Sequence, residues 1–402
     1  MGGVSTHILD LCKQFSAHAT IEKIVVCCDG GEHIPALSVI PKVIYYRLPF
    51  EKYGLSFQGV CKGYRELRRI VSSEQISIIH VHSQRILPSA HLIKIRLGVP
   101  YLWTNHIDAI PNQRVFRCMC ALMRFPVISV SQELRNMMIC KYHCNPQKVF
   151  AVNNGIDLDE FDPLRDDEIT RLEHEYAIDR SKTPYIISLL SRVTYVKGHK
   201  ILLQAIARCR YREQIHIIFA GHTYPESEAY RNEVQLLAKH EGIRTTFLDW
   251  SKPREVFGVS DLFVLPSLYE GFALVCIEAL AMGCAVLRSR TPGWQEMQDF
   301  VGIFEKGDVD GLSEMIENAI KHDFFPDKTA IGYKRVREEF TKEHCANETL
   351  AVYERILATV YKGNIIKNLI MDCQSYTKYR PNETTGGIFV SWRRKEELPT
   401  GA

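Results

Sequence analysis

Apolar and polar positions follow two alternating periods along the chain. Short apolar runs rich in Val, Ile and Tyr are typical of buried strands, and longer segments between them carry apolar residues at helical spacing. The predicted strands of the first half cover residues 23–28, 43–48, 77–82, 100–105, 126–131 and 148–152, and helical periodicity covers 62–71, 84–96 and 132–141. This alternation predicts βαβ units and a parallel sheet covered on both faces.

The pattern is interrupted by a charged, helix-prone stretch at 162–182 and then starts again. The second set of predicted strands covers 185–190, 215–220, 245–248, 261–265 and 284–288. We therefore predict an α/β protein with two Rossmann-like doubly wound domains, an N-terminal one over 1–165 and a C-terminal one over 183–341. A helix over 342–361 and a polar tail over 362–402 follow, and we expect the tail to be mobile from about residue 375.

The beginning of the chain departs from this scheme. Gly2 and Gly3 open directly into a helical pattern, whereas the glycine turn of a doubly wound half normally follows its first strand. Either the recorded start lies downstream of that strand, or the half-sheet closes in another way. We favour the first explanation, because a central strand supplies many ladder hydrogen bonds and much apolar burial.

Composition narrows the class of protein. The 402 residues are 46% hydrophobic and 24% charged, an ordinary globular balance, and the net charge of +3 excludes a strongly nucleic-acid-like composition. Charge is uneven, because residues 1–150 hold 18 Lys and Arg against 9 Asp and Glu. The basic first half indicates an anionic partner, which leaves nucleic acid, a phosphorylated substrate and an anionic lipid surface open.

Cysteine usage and hydropathy indicate a cytoplasmic location. The 13 cysteines are an odd number without any CxxC pair, which is typical of reduced thiols rather than of a zinc site or disulfide framework. No apolar run reaches the length of about 18 residues that a membrane span needs.

The segment 261–281 carries the most informative chemistry. An apolar strand ends near Pro266, a loop holds Glu270 and Gly271, and an amphipathic helix begins near Ala273. Ligands of open α/β sheets bind beyond the carboxyl ends of strands, where a helix N-terminus offers free N–H groups to an anion. Glu270 and Glu278 can therefore border one small polar ligand, and carboxylates accept hydrogen bonds from sugar hydroxyls.

The ends of other predicted strands carry further candidate ligand-binding residues. Arg192 and Lys197 follow the first strand of the second half, and such a pair suits a diphosphate. His106 follows the strand at 100–105, where it could orient or polarise a substrate. His80 and His82 lie within an apolar strand, and we expect them to be core histidines rather than metal ligands.

Taken together, these segments resemble the GT4-type retaining glycosyltransferases of the GT-B fold, in which two Rossmann-like domains face each other across a cleft. The resemblance extends over nearly the whole chain. Its motifs are Gly2-Gly3, Asn105-His106-Ile107-Asp108, Asn154-Gly155-Ile156-Asp157, Arg192 with Lys197-Gly198, Gly221, the Glu270/Glu278 pair, Gly293 with Glu296, and the final helix at 342–361, which in the family crosses back to the first domain.

The resemblance implies a role for each matching residue. Arg192 and Lys197 would neutralise the donor diphosphate, Glu278 would hold the ribose hydroxyls, and Glu270 would contact the donor sugar. His106 would line the sugar pocket from the opposing domain, so that His106, Glu270, Arg192 and Lys197 form the catalytic set. The remaining donor-binding residues would be Gly2, Gly3, Asn154, Gly221, Gly271, Phe272, Ala273 and Leu274, the last three through backbone N–H groups.

Three positions depart from the family pattern. Ala273 stands where the family often has Gly or Pro, His222 stands where a glycine often follows Gly221, and Ile107 separates His106 from Asp108. These departures bear on the sugar preference and on the role of Asp108 more than on the reaction.

The implied function is transfer of a hexose-type sugar from a nucleotide sugar, with a UDP-sugar as first choice, to a saccharide acceptor. We expect a lipid-linked acceptor of cell-surface polysaccharide or lipopolysaccharide biosynthesis, no metal or other cofactor and no nucleic acid. Two predicted helices interleave arginines with apolar residues: one carries Arg65, Arg68 and Arg69, and the other carries Arg114, Arg117 and Arg124. Such helices could rest on the inner face of an anionic membrane. They could equally be ordinary core helices with a solvated basic face.

Two alternative functions stay open at this point. One is a GT-B-like enzyme of different chemistry, a nucleotide-sugar epimerase or a hydrolase with Glu270 and Glu278 as an acid/base pair. The other is a catalytically inactive nucleotide-sugar-binding protein.

Overall fold

The computed structural model describes residues 3–31, 33–53, 55–107, 110, 112–360, 368–372 and 386–392. The strands are β1 (Ile21–Cys28), β2 (Val43–Arg47), β3 (Ile78–Val81), β4 (Tyr101–Asn105), β5 (Val127–Ser129), β6 (Val149–Ala151), β7 (Tyr185–Leu190), β8 (Ile215–Ala220), β9 (Arg244–Leu248), β10 (Leu262–Leu265), β11 (Ala285–Ser289), β12 (Gly302–Phe304), β13 (Asn368–Asp372) and β14 (Gly386–Trp392). The helices are α1 (Gly3–Ala17), α2 (Ile34–Ser38), α3 (Phe50–Tyr53), α4 (Phe57–Ser73), α5 (Leu87–Leu97), α6 (Gln113–Met123), α7 (Gln132–Cys140), α8 (Asp166–Glu175), α9 (His199–Arg208), α10 (Glu228–His240), α11 (Pro253–Gly258), α12 (Leu274–Ala281), α13 (Val309–Lys321), α14 (Pro326–Glu339) and α15 (Lys342–Val360).

The C-terminal domain is built on one parallel sheet of order β12-β11-β10-β7-β8-β9. Every residue of β8, β10 and β11 is buried, as the continuous apolar runs predict for strands covered by helices on both faces. The chain starts at the central strand β7, proceeds outward to β9 and then returns to β10 on the other side. The strand order therefore reverses between β7 and β10, and the crevice at such a reversal is where doubly wound sheets bind their ligands.

The N-terminal domain contains the parallel sheet β3-β4-β5-β6 beside a second group of strands around β1. Its strands and helices alternate as predicted, and the prediction of two doubly wound α/β domains is confirmed. Two hydrophobic clusters lie on the two faces of these strands, one beneath α4, α5 and α6 and the other beneath α1 and α15.

Strands from the C-terminal end complete the group around β1. β13 pairs with β1 in parallel, with Ile24 opposite Leu369, and β14 pairs with β1 in the antiparallel sense, with Val25 opposite Phe389. Both strands also contact β3. The prediction of a mobile tail is therefore wrong for residues 386–392, which form strand β14 and pair with β1. Most other residues of 362–402 lie outside the described residues.

The polypeptide crosses between the domains twice. The crossing near residue 341 is fixed by a parallel bridge between Ile156 and Thr341, after which α15 packs beside α1 in the N-terminal domain. Tyr353 of α15 is fully buried there against Phe15. Each described cysteine is a free thiol. Within the described part of the chain, no helix combines the length and the apolarity required to cross a lipid bilayer.

Candidate active site

The loops that follow β7 and β10 touch each other at the point where the strand order reverses. The N–H of Leu268 donates to the carbonyl of Val196 over 2.7 Å. Gly198 packs so closely on the other loop that a Cβ atom would lie 2.1 Å from the carbonyl oxygen of Pro266, and its φ of +74° also favours glycine. Glycine is therefore required at this crossing, which places the two loops side by side.

This crossing pairs two predicted site residues. Lys197 Nζ lies 2.6 Å from Glu270 Oε1, and the two side chains are only 18% and 10% exposed. Burial by itself would raise the pKa of Glu270, but the Lys197 ammonium, with support from Arg288, holds that pKa below its usual value. Glu270 is therefore ionised at neutral pH and can accept hydrogen bonds, and Lys197 is its ion-pair partner.

Arg192 stands at the neighbouring strand end. Its loop is bonded to the loop after β8 through Ser191 N–H to Ala220 O (2.9 Å) and Val193 N–H to His222 O (3.2 Å). Gly221, with φ +139°, allows this approach, because a Cβ there would lie 2.0 Å from the Ser191 carbonyl. The partly exposed Arg192 side chain forms no ion pair with an acid of the described residues. A guanidinium in this position has the donor geometry that suits an anion such as a diphosphate.

The N-terminus of α12 supplies neutral donors to the same crevice. The helix begins at Leu274, so the first N–H groups have no partner within the helix. Ala273, immediately before it, adopts the left-handed conformation with φ +68° and ψ +67°. This conformation is costly for a residue with a Cβ atom, so Ala273 holds a strained backbone directly before the helix.

Glu278 lies one turn inside α12 and faces acids of other elements. Burial raises its pKa to about 7, and Glu160 and Asp10 contribute to this rise by charge repulsion. Asp10 belongs to α1 of the N-terminal domain, and its own pKa is raised to about 6, chiefly by burial. Carboxyls of α1 and α12 therefore lie close enough for their charges to interact across the domain boundary.

Arg288 supports the floor of this crevice, and the sequence analysis did not identify it. Its side chain is fully buried and donates to the carbonyls of Phe272 (3.1 Å), Thr291 (2.9 Å) and Pro292 (2.8 Å). The guanidinium thereby holds the segment before α12 against the turn that contains Gly293. An arginine inside an apolar strand was the signal that could have indicated this role.

The N-terminal domain reaches the crevice through His106. A Cβ on Gly271 would lie 1.8 Å from the carbonyl oxygen of His106, so the Glu270 loop and His106 touch across the domain boundary. The rings of His7 and His82 stand beside His106, with centroids 5.3 and 5.1 Å from its ring. His80 and His82 are both buried, and His80 is a satisfied core histidine as predicted, whereas Nε2 of His82 has no hydrogen-bond partner among the described residues. His80 has both ring nitrogens bonded, to Tyr353 and Thr104.

A second contact between the domains was only partly anticipated. Glu133 of α7 accepts from the N–H groups of Gly293 (3.1 Å) and Gln295 (3.3 Å), and Glu296 accepts from the N–H of Gln132 over 2.6 Å. Each domain thus offers a carboxylate to backbone donors of the other. We call this pair of contacts the carboxylate clasp. Glu296 was part of a recognised motif, whereas nothing in the sequence singled out Glu133.

Several predicted positions lie away from the Lys197–Glu270 pair or outside the described residues. The motif at 154–157 holds the interdomain crossing, because a Cβ on Gly155 would lie 2.0 Å from the Thr341 carbonyl and Asp157 pairs with Lys342. Asn154 is buried beside that crossing. Gly3 is the first residue of α1, while Gly2 and Asp108 lie outside the described residues.

Two family models together match most of the chain. Residues 1–160 match the model described as glycosyltransferase family 4, and residues 171–335 match the model described as glycosyl transferases group 1. The boundary between the two matches falls at the charged stretch that separates the domains.

Curated relatives agree with these matches. An alpha-maltose-1-phosphate synthase of Mycolicibacterium smegmatis is 25% identical over 324 residues, which span 73% of this chain and 82% of the relative. A D-inositol 3-phosphate glycosyltransferase of Mycobacterium avium is 25% identical over 395 residues, which span 89% of this chain and 89% of the relative. A phosphatidylinositol N-acetylglucosaminyltransferase component of Arabidopsis thaliana is 24% identical over 377 residues, which span 89% of this chain and 79% of the relative.

Solved structures show the same architecture. A glycosyltransferase from Rickettsia africae superimposes with a TM-score of 0.77 at 19% identity, covering 89% of this chain and 95% of the other. Anabaena Alr3699/HepE, solved in complex with UDP and glucose, superimposes with a TM-score of 0.73 at 19% identity, covering 88% and 96%. The fold is therefore GT-B, and with the family matches over both domains the chain belongs to the GT4-type, group 1 glycosyltransferases.

Proposed function

We propose that this glycosyltransferase moves a hexose-type sugar from a UDP-sugar to a saccharide acceptor, with retention of configuration and without a metal ion. The observation that carries the donor assignment is the grouping of Lys197, Glu270 and Arg192 at the reversal of strand order, beside the free N-terminus of α12. The Anabaena neighbour, solved with UDP and glucose, supports the choice of uridine.

The proposed chemistry assigns no nucleophile to the protein. The bond between the anomeric carbon and the diphosphate oxygen breaks through an oxocarbenium-like state, and the acceptor oxygen bonds to that carbon on the same face. The acceptor proton passes to the departing phosphate oxygen. Arg192, Lys197 and the N–H groups of α12 stabilise the negative charge that develops on the diphosphate, the kind of preorganised electrostatic effect that usually dominates such catalysis. Glu270 orients the donor sugar through its hydroxyls.

We propose a lipid-linked acceptor that is reached from the cytoplasmic face of a membrane, in the synthesis of cell-surface polysaccharide or lipopolysaccharide. Phe57 at the start of α4 and Leu122 on α6 are 85% and 82% exposed, and the same two helices carry exposed arginines, among them Arg65 and Arg117. Apolar side chains beside cations suit contact with anionic lipid. The name of the Arabidopsis relative also includes a lipid, phosphatidylinositol.

A ligand panel tests the donor assignment. UDP, GDP, ADP and their sugar conjugates are added to the wild type, to Lys197→Ala and to Glu278→Ala, and unfolding is followed by thermal shift. A ligand at about 100 times its Kd stabilises the folded state by about 2.7 kcal/mol. We expect a shift with the uridine series that both substitutions weaken. A shift with another base, or none with a folded sample, would overturn the assignment.

Turnover separates this proposal from its two alternatives. Release of UDP that depends on added acceptor, and that persists in EDTA, is expected of the metal-independent transferase. Free sugar released at a rate independent of acceptor would indicate a hydrolase, and binding without turnover on any donor would indicate an inactive binding protein.

Flotation with liposomes tests the membrane contact. We expect the wild type to float with anionic vesicles at low salt, and Phe57→Ser and Leu122→Ser to reduce the floating fraction. Leu236→Ser is the matched control, because Leu236 is 68% exposed on α10 of the other domain. A wild type that stays entirely in the soluble fraction would count against a lipid surface.

A further inference from the structure

Three histidines of the N-terminal domain converge on one point. His7 lies on α1, His82 directly follows β3 and His106 directly follows β4. One ring nitrogen of each lies within 4.8 Å of the corresponding nitrogens of the other two. His82 Nδ1 and His106 Nε2 are 2.8 Å apart.

The hydrogen bonding of this cluster is incomplete. His82 is only 2% exposed and its Nε2 has no partner in the described structure. Neighbouring His80 is equally buried, but Tyr353 Oη bonds its Nδ1 over 2.6 Å and Thr104 Oγ1 bonds its Nε2 over 2.5 Å. A buried polar atom without a partner costs about 1–3 kcal/mol, so the difference between the two rings needs an explanation.

The ligand atoms that meet at this point are all imidazole nitrogens. Neutral imidazole is the usual ligand of transition metals, because it offers a free lone pair.

We propose that His7, His82 and His106 bind a single transition-metal ion of the Zn²⁺ class, with a fourth coordination position left open. Imidazole nitrogens suit Zn²⁺, Ni²⁺, Cu²⁺ and Co²⁺ rather than Mg²⁺ or Ca²⁺. Tetrahedral Zn²⁺ with Zn–N bonds of about 2.0–2.1 Å sets ligand nitrogens about 3.3 Å apart. That spacing lies between the 2.8 Å that separates His82 Nδ1 from His106 Nε2 and the 4.8 Å within which the three ring nitrogens lie. Three protein ligands and one open position are the pattern of zinc sites that also take an exchangeable ligand.

The site lies at the mouth of the donor crevice, because the backbone of His106 touches Gly271. A bound ion would occupy a ring nitrogen of His106, the side chain that the family resemblance assigns to the sugar pocket. We therefore expect Zn²⁺ to inhibit sugar transfer. This consequence rests on the proposed function, whereas metal binding itself does not.

Titration of the metal-free full-length protein tests the binding. We expect one saturable site for Zn²⁺ by calorimetry, and with Co²⁺ an intense visible spectrum typical of tetrahedral coordination, without a thiolate charge-transfer band. His106→Asn changes a partly exposed residue and should weaken binding at least about 100-fold, since even residues that only support metal ligands account for 10–100-fold. His82→Gln should do the same.

His91→Asn is the matched control, because His91 lies in the same domain and bonds Tyr101 outside the cluster. Thermal unfolding of each metal-free variant verifies that it folds. Absence of a stoichiometric site in the wild type, a thiolate band with Co²⁺, or full affinity in His106→Asn would each overturn the proposal. Stoichiometric binding without inhibition of transfer would support the metal site and contradict the assigned role of His106 in the sugar pocket.

Discussion

The α-carbon of Gly271 rests against the backbone carbonyl of His106, so closely that a Cβ atom would lie 1.8 Å from its oxygen. Gly271 belongs to the C-terminal domain and His106 to the N-terminal domain. This contact brings the Glu270 loop and the histidine cluster to the same place. The two domains can therefore approach each other this closely only because residue 271 is a glycine, which has no side chain.

Substitution of Gly271 by alanine is expected to separate the domains at this contact. The added methyl group would meet backbone atoms that cannot rotate away, so the loop or the domain must move. We expect Gly271→Ala to lower kcat/KM for sugar transfer more than tenfold with little change in Tm. Gly242→Ala is the control, because its φ of +65° imposes backbone strain of about 1–2 kcal/mol in open space and far from the crevice. Equal activity of the two variants would refute the steric argument.

The Lys197–Glu270 pair should contribute to stability in a pH-dependent manner. Because the folded protein lowers the pKa of Glu270, its contribution is present above the usual glutamate pKa and is lost as pH falls through the folded value. Lys197→Met leaves a buried carboxylate without its partner, so we expect a loss of about 3 kcal/mol at pH 7 and a smaller loss near pH 4.

Urea unfolding at both pH values measures this effect. Lys197→Met/Glu270→Gln should recover part of the stability that Lys197→Met loses. Lys200→Met is the matched control, since Lys200 pairs with Glu233 at the surface and such pairs contribute less than about 1 kcal/mol. A pH-independent loss would show that the Lys197–Glu270 pair is not the cause.

Glu278 should make donor binding depend on pH. Its pKa of about 7 means that half of the molecules carry a protonated Glu278 near neutral pH. Ribose hydroxyls that donate to this group favour the carboxylate, so UDP-glucose affinity should fall as pH drops below about 7, approaching tenfold per pH unit. UDP-glucose is the suitable probe, because neither of its phosphates titrates in that range.

Glu278→Gln should flatten this profile, and it should also stabilise the free protein at pH 8 but not at pH 4. The sign follows from the raised pKa: ionisation of Glu278 between about 4.5 and 7 costs stability as pH rises. Glu314→Gln, an exposed position on α13, is the control. An unchanged pH profile in Glu278→Gln would place the titrating group elsewhere.

The carboxylate clasp should hold the domains closed. Glu133→Ala and Glu296→Ala each remove charge-assisted hydrogen bonds, which contribute about 1.5–3 kcal/mol apiece. We expect a larger radius of gyration in small-angle scattering and an apparent Kd for UDP-glucose raised about tenfold. Glu314→Ala should change neither quantity. Tighter donor binding in the Glu133 variant would indicate that the clasp opposes closure instead.

Most of the secondary structure could be predicted from the local pattern of apolar and polar residues. The predicted strands at 185–190 and 215–220 coincide with β7 and β8, because a buried parallel strand must be apolar on both faces and therefore leaves a continuous signal in the sequence. The loops with site residues were equally visible, since they fall at the ends of these runs. The individual roles of Arg192, Lys197, Glu270 and Glu278 stay predictions until the variants are measured.

The pairing of strands that lie far apart in the sequence could not be predicted from this local pattern. The strand at 386–392 joins β1, more than 350 residues earlier, and short apolar runs do not specify their partner. Arg288 and Glu133 bond to backbone carbonyls and N–H groups, which are the same in every residue, so the sequence does not show which segments these two side chains hold.

The pattern of apolar and polar residues determined the secondary structure, the two α/β domains and the strand ends that carry the candidate site residues, because periodicity and turn residues are local properties. Only the tertiary structure decided which of those ends meet. The grouping of His7, His82 and His106 depends on the packing of α1 beside β3 and β4, and the contact of Gly271 with His106 depends on how two separately folded domains face each other. Such proximities arise from packing between distant segments, and distances between segments are not encoded at any single position.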